Sequence, residues 1–128
     1  KEILEFPKYG CINLHGSLLP RHRGLQPSFW ALYHDDKETG STVHFMGENI
    51  DDGAVIEQAR IAIDKKDTQF DIIKKTKFLG SKLLVIAIKK ISSGISQTIK
   101  IDKKQGNYNS FPKDYQVTNF FKNKKRLL

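Results

Sequence analysis

The stretch at residues 13–20 reads Asn-Leu-His-Gly-Ser-Leu-Leu-Pro and continues a short apolar segment that starts at Gly10. Within residues 10–15, apolar side chains alternate with Asn13 and His15, which predicts a short β-strand. Because side chains alternate across a strand, Asn13 and His15 lie on the same face. Ligands of open α/β sheets bind beyond the carboxyl ends of the strands, so the sequence predicts a functional site here.

The segments that follow this strand alternate between helical and extended patterns. They are a helix at 25–34, strands at 40–46 and 54–63, a helix at 68–92, a weak strand at 95–101 and a short helix after residue 110. A short acidic loop joins the two consecutive strands, which favours an antiparallel hairpin. The pattern predicts an α/β fold with a mostly parallel sheet, one hairpin-like pair and one long packing helix.

The length and charge narrow the class of protein. The chain has 128 residues, one domain's worth, and a formal net charge of +8. A basic balance suggests a polyanionic partner such as RNA or a phosphorylated ligand. The preferred interpretation, however, is that the lysines are simply scattered over helix faces and the tail. Nine Gly, four Pro and one Cys exclude collagen-like, mucin-like and disulfide-scaffold proteins.

The cysteine content and the hydropathy pattern bear on the compartment. The single cysteine, Cys11, cannot form a disulfide within the chain, so a reducing cytoplasm is the expected location. The longest apolar run, Leu83 to Ile88, is far shorter than the ~18 residues of a membrane span. No membrane interaction is therefore expected.

Polar side chains with catalytic chemistry cluster around two predicted loops. Asn13 and His15 end one strand, His44 lies on another, and Asp51 lies in the acidic loop that follows. An Asn amide can hold a carbonyl oxygen as it gains negative charge, and a His can exchange a proton near neutral pH. The Asp can orient the imidazole or accept a proton through water. This combination suits acyl transfer, although histidines in strands are also commonly structural.

Two other chemistries are disfavoured by spacing. The histidines and Asp51 match no His-Glu-x-x-His or Cys-x-x-Cys pattern, so no metal site is expected. Ser17 lacks a Gly-x-Ser-x-Gly nucleophile elbow, and a loop Ser bonded to nearby backbone is the preferred interpretation. His22 and His34 fall in charged surroundings and are predicted to be surface residues.

Two motifs together resemble the folate-dependent formyltransferase family. Residues 13–24, Asn-Leu-His-Gly-Ser-Leu-Leu-Pro-Arg-His-Arg-Gly, look like its Asn-x-His-x-Ser-Leu-Leu-Pro-x-x-x-Gly signature. Residues 40–46, Gly-Ser-Thr-Val-His-Phe-Met, with Ile-Asp-Asp-Gly at 50–53, look like its second motif. The resemblance implies a Rossmann-like formyltransferase fold, and transfer of a formyl group from 10-formyltetrahydrofolate to an amine.

The resemblance also assigns roles to individual residues. It implies that Asn13 hydrogen-bonds the formyl oxygen, His15 stabilises the oxyanion and passes protons, and Asp51 orients His15 and manages the amine's proton. His44 would support them without touching the substrate. The implied pterin-binding loop comprises Met46, Gly47, Glu48, Ile50 and Asp51.

The acceptor amine is harder to identify than the donor. The family includes enzymes acting on initiator methionyl-tRNA, on amino sugars of nucleotide sugars and on glycinamide ribonucleotide. Residues 13–17 with Arg21 and Arg23 resemble the tRNA and amino-sugar branches, and a methionyl-tRNA formyltransferase-like function is the preferred hypothesis. The alternative from another class is a non-catalytic folate- or RNA-binding fragment.

The start of the chain bears on how much of a domain it contains. Position 1 is Lys and the only methionine is Met46, which favours truncation or processing. We expect residues 1–100 to be a formyltransferase catalytic domain that lacks its N-terminal part, and residues 101–128 to be a C-terminal extension with a short helix. The first strand would then lack neighbours, and an isolated chain would be weakly active or inactive.

Overall fold

The computed structural model describes residues 2–94 and 97–128. In chain order its elements are α1 (Glu2–Glu5), β1 (Ile12–His15), β2 (Arg23–Gly24), α2 (Pro27–Tyr33), β3 (Glu38–Phe45), β4 (Val55–Ala62), α3 (Gln69–Ser92), a 3-10 turn (Lys103–Gln105), β5 (Tyr108–Asn109) and α4 (Asp114–Lys122). The α/β class predicted from the sequence, with helices packed on a sheet, is confirmed.

The main sheet has three strands in the order β1-β3-β4, and both pairings are antiparallel. The predicted β3–β4 hairpin is therefore confirmed, but the mostly parallel arrangement is not found among the described strands. A parallel pair needs a crossover of a dozen or more residues, whereas a short loop can only join antiparallel neighbours. The described parallel pairing is the two-residue one between β2 and β5.

The long helix α3 begins at a capping box. The Thr68 side chain accepts a hydrogen bond from the Asp71 backbone, and the Asp71 carboxylate accepts one from the Thr68 N–H. The helix ends at Ser92, just before Gly94, whose φ of +75° suits the left-handed conformation. Its inner face packs on the sheet in a core that includes Val43, Ile56, Leu83 and Ala87.

A second core joins the short helices. Helix α4 contributes Phe120, which stacks on Phe29 of α2 with ring centroids 4.6 Å apart. The other members are Trp30, Leu32 and Ile72. The C-terminal residues therefore pack against the same helices that flank the sheet.

Two further comparisons with the sequence concern the connecting segments. Residues 95 and 96 of the predicted weak strand lie outside the described residues, and within its remainder Ile99 forms an isolated bridge to Val55. In the described part of the chain, none of the helices combines the length and hydropathy needed to span a bilayer.

Candidate active site

Four polar side chains meet where β1, β3 and the loop after β3 come together. The strand register places Asn13 opposite His44, and the loop brings Asp51 to both. Asn13 Nδ2 lies 3.3 Å from Asp51 Oδ1 and 3.3 Å from His44 Nε2. His15 Nδ1 lies 3.4 Å from Asp51 Oδ2. The structure therefore brings together the residues that the sequence singled out.

Asp51 is the centre of this group. Its φ of +51° is left-handed, a conformation that Asp tolerates better than most residues. Its Oδ2 accepts a hydrogen bond of 2.9 Å from the backbone N–H of Gly24. Burial alone would raise the pKa of Asp51, but the neighbouring His44 and His15 rings and the Gly24 N–H outweigh it and lower the pKa. Asp51 is therefore held as a carboxylate.

The protonation pattern of His15 follows from its two neighbours. Its Nε2 lies 2.8 Å from the carbonyl oxygen of His22, which can only accept, so Nε2 carries a hydrogen. The other nitrogen, Nδ1, then faces the Asp51 carboxylate. Burial lowers the pKa of His15, while Asp51 and the His22 carbonyl act in the opposite direction. Nδ1 is thus the ring atom that can take or give a proton toward Asp51.

His44 is almost completely buried and orients Asn13. Its Nδ1 lies 2.7 Å from the Phe45 carbonyl oxygen, so Nδ1 donates its hydrogen there. With that tautomer, Nε2 is placed to accept from the Asn13 amide over 3.3 Å. This arrangement turns the NH2 end of Asn13, rather than its oxygen, toward the site.

The loop after β3 lines a cavity next to these side chains. The cavity has a volume of about 230 Å³ and is lined by Asn13, His44, Met46, Gly47, Glu48, Asn49, Ile50 and Asp51. Met46 and Ile50 are roughly half exposed and support no described core. The cavity therefore includes the whole set of loop residues predicted to contact a pterin.

One prediction about a histidine is wrong. His22 was expected at the surface but is only 4% exposed. Its Nε2 donates to Asp36 Oδ2 over 2.7 Å, and Asn109 Nδ2 lies 3.1 Å from its Nδ1. Charged neighbours in the sequence suggested exposure to solvent, but Asn107 and Asn109, whose side chains lie next to the His22 ring, are 85 and 87 positions away in the chain. No local pattern marks this contact.

Two smaller predictions are confirmed. His34 is exposed. The Ser17 hydroxyl donates to the Arg21 carbonyl oxygen over 2.7 Å, so it is engaged with the loop backbone.

Within residues 2–94 and 97–128, no group of three His, Cys, Asp or Glu side chains is placed to hold a metal ion.

Comparison with known proteins identifies the family. The family model described as formyl transferase matches residues 1–88. The chain belongs to this family. A formyl transferase relative, the methionyl-tRNA formyltransferase of Pelotomaculum thermopropionicum, is 42% identical over 98 residues, covering 77% of this chain and 31% of the relative. That of Caldicellulosiruptor saccharolyticus is 37% identical, covering 95% and 42% respectively.

Solved formyl transferase structures share the fold. An N-formyltransferase from Helicobacter canadensis, in complex with folinic acid and dTDP-3-aminofucose, matches with a TM-score of 0.74 at 27% identity, over 77% of this chain and 37% of that one. A formyltransferase from Anoxybacillus kamchatkensis, in complex with UDP-4,6-dideoxy-4-formamido-L-AltNAc and tetrahydrofolate, matches with 0.75 at 26% identity, over 94% and 60%. The chain spans about a third of the length of the methionyl-tRNA formyltransferases it matches.

Proposed function

We propose that the protein containing this chain transfers a formyl group from 10-formyltetrahydrofolate to an amine, and that Asn13, His15 and Asp51 are its catalytic residues. The observation that carries the proposal is the meeting of an amide donor, an imidazole and a carboxylate beside the cavity of about 230 Å³. Formyl transfer needs a donor for a developing oxyanion and a path for one proton, and these groups supply both.

The proposed reaction is a nucleophilic addition followed by elimination. The acceptor nitrogen attacks the formyl carbon, and the carbonyl oxygen of that group becomes negatively charged. The bond between the formyl carbon and N10 of the folate then breaks, the amine loses a proton and N10 gains one. Tetrahydrofolate and the formamide product leave, so atoms and charge balance.

Each catalytic side chain has one role in this sequence. Asn13 donates to the formyl oxygen, and His44 keeps its NH2 group turned that way. The contacts of Asn13 to Asp51 and His44 are both 3.3 Å, longer than an ordinary N–H···O bond, so a bound oxygen can compete for its hydrogens.

His15 and Asp51 manage the proton. With Nε2 committed to the His22 carbonyl, a proton on Nδ1 makes His15 a cation that stabilises the oxyanion. Asp51, held as a carboxylate, stabilises that cation and accepts the amine's proton directly or through water. The pair therefore separates the two charges that form in the tetrahedral intermediate.

The pterin ring of the folate is proposed to occupy the cavity behind the 46–51 loop. Met46, Gly47, Glu48, Ile50 and Asp51 line it, and we assign them to folate binding. The half-exposed side chains of Met46 and Ile50 are apolar surface that a planar ring would cover.

We infer that initiator methionyl-tRNA is the acceptor, because the curated relatives that are 37–43% identical carry that name. The net charge of +8 agrees with a polyanionic acceptor. Amino sugars of nucleotide sugars form the second candidate class, since solved neighbours of 26–27% identity bind nucleotide sugars. We place this chemistry in the cytoplasm, where an unpaired Cys11 stays reduced.

The experiment is a formyl-transfer assay on the full-length protein. It receives 10-formyltetrahydrofolate labelled in the formyl group, and three acceptors in parallel: methionyl-tRNA, a nucleotide amino sugar and glycinamide ribonucleotide. We expect label in methionyl-tRNA at a rate well above the other two. Transfer only to the nucleotide amino sugar would show that methionyl-tRNA is not the acceptor. No transfer to any amine would refute the proposed activity.

A further inference from the structure

The catalytic histidine is oriented by a backbone carbonyl in another loop. The carbonyl oxygen of His22, in the loop of residues 20–25, accepts the Nε2 hydrogen of His15 over 2.8 Å. The same loop supplies the Gly24 N–H that binds Asp51 Oδ2 over 2.9 Å. Two main-chain groups of the 20–25 loop thus hold the two halves of the proposed proton path.

This loop does not hold itself in place. His22 adopts a left-handed φ of +52°, which is uncommon for a residue with a side chain. Its backbone N–H donates to Asn107 Oδ1 over 2.7 Å, and its ring lies between Asp36 and Asn109. The unusual conformation is therefore fixed by contacts on both the backbone and the ring.

Main-chain hydrogen bonds connect the same two segments. Arg23 N–H donates to the Asn107 carbonyl over 3.0 Å, and Leu25 N–H donates to the Asn109 carbonyl over 2.8 Å. These bonds form the parallel pair of β2 and β5. Residues 107–109 therefore serve as the support on which the loop around His22 and Gly24 rests.

We propose that Asn107, Asn109 and His22 are positioning residues for formyl transfer, acting through the His22 carbonyl on His15 and through the Gly24 N–H on Asp51. This inference rests on the proposed function. None of the three side chains lines the cavity assigned to the folate. Their effect is on the orientation of groups that react, so it should fall on kcat rather than on the KM for folate.

The test compares two variants at position 107 in the full-length protein. Asn107→Ala removes the oxygen that accepts the His22 N–H, while Asn107→Asp keeps an acceptor at that place. Gln116→Ala is the control, because Gln116 is another amide in the C-terminal residues and its side chain accepts from the Lys113 backbone, away from the site. Single-turnover rates, KM for 10-formyltetrahydrofolate and thermal melting are measured for all of them.

We expect Asn107→Ala to lower kcat about tenfold or more with KM for the folate within about twofold, and Asn107→Asp to recover most of the rate. Gln116→Ala should keep the wild-type kcat and KM, although its melting temperature can fall because Gln116 caps α4. Equal loss in the Ala and Asp variants, or a kcat for Asn107→Ala within twofold of wild type, would overturn the inference. A wild-type protein without transfer to any amine would instead refute the proposed function, so the two failures are distinguishable.

An NMR measurement distinguishes a specific loss of His15 orientation from a general loss of stability, since either could lower the rate. In the wild type, the His15 Nε2 hydrogen is buried and bonded to the His22 carbonyl, so its NMR signal should exchange slowly with water. We expect fast exchange in Asn107→Ala and slow exchange in Asn107→Asp and Gln116→Ala. Slow exchange in all three variants would contradict the proposed support of His15.

Discussion

The 46–53 loop contains Asp51 and the 20–25 loop binds it through the Gly24 N–H, but the two loops are held in place differently. The 46–53 loop is closed by a bond from the Phe45 N–H to the Ala54 carbonyl and by one from Asn49 to Asp52. Its tie to the C-terminal residues is an exposed side-chain ion pair between Asp52 and Lys103. The 20–25 loop depends on Asn107, which is 85 positions from His22. The first loop is therefore shaped mostly by its own residues, beside the cavity that we propose for the folate, and the second depends on main-chain bonds to the C-terminal residues for its shape.

The largest expected effect comes from changing Asp51, the residue at which the two loops meet. Asp51→Asn should lower kcat by at least ~100-fold, because the amide cannot accept the proton or stabilise a His15 cation. Asp52→Asn is the matched control, since Asp52 is paired with Lys103 over 2.7 Å and belongs to the loop's framework. Its rate should stay within about threefold in the same assay. Equal losses in both variants would remove the special role of Asp51.

A second test changes Gly24, which lies in the 20–25 loop and packs closely against β5. Gly24 has a φ of +93°, and an added Cβ would lie 2.2 Å from the Asn109 carbonyl oxygen. Gly24→Ala should reduce activity about tenfold and destabilise the fold by about 2–4 kcal/mol, from backbone strain plus overpacking.

Gly94→Ala is the control for that substitution. Gly94 also has a positive φ, +75°, but among the residues that the structure describes, its chain neighbours aside, no atom lies within 4 Å of an added Cβ. It should show the strain alone, about 1–2 kcal/mol, with the rate of formyl transfer unchanged. Urea unfolding measures the loss of stability in both variants. A Gly24 variant no less stable than the Gly94 variant would contradict the close approach of β2 and β5.

The proposed contact between the 46–53 loop and the folate has its own test, with a smaller expected effect. Ile50 is 57% exposed, so Ile50→Ala should leave the free energy of unfolding nearly unchanged. It should raise the KM for 10-formyltetrahydrofolate about threefold to tenfold with kcat preserved, because apolar contact with the pterin is lost. Ile99→Ala, at a similarly exposed position, should change neither constant. A fall in kcat without a rise in KM would place Ile50 outside the folate site.

The smallest expected effect concerns pH and the two buried histidines around the 20–25 loop, His15 and His22. Burial lowers the pKa of both His15 and His22 from 6.5. The unfolded chain therefore binds more protons than the folded chain as pH falls through that range, and the free energy of unfolding should decrease from about pH 7.5 to about pH 5.5.

A substitution shows whether His22 contributes to that decrease. His22→Gln should weaken the pH dependence of the free energy of unfolding, measured with urea. A His22 variant with the full wild-type dependence would contradict a buried, neutral His22.

The contrast between the loops also explains what the sequence could and could not predict. The sequence singled out Asn13 and His15 through period-2 alternation and Asp51 through its place in the loop after the next strand, although Asn13 and Asp51 are 38 positions apart. The pairing of β2 with β5 and the burial of His22 were missed, because they depend on contacts across about 85 positions that carry no local pattern. The strand directions beyond the hairpin were likewise set by tertiary pairing.

The central claim is that His15 performs formyl transfer within the group formed with Asn13 and Asp51. The most direct measurement is single-turnover transfer from saturating 10-formyltetrahydrofolate to methionyl-tRNA by the full-length protein and its His15→Ala variant. We predict a rate at least ~100-fold lower in the variant, with folate affinity within a few-fold of wild type. A variant rate within a few-fold of wild type would contradict the account.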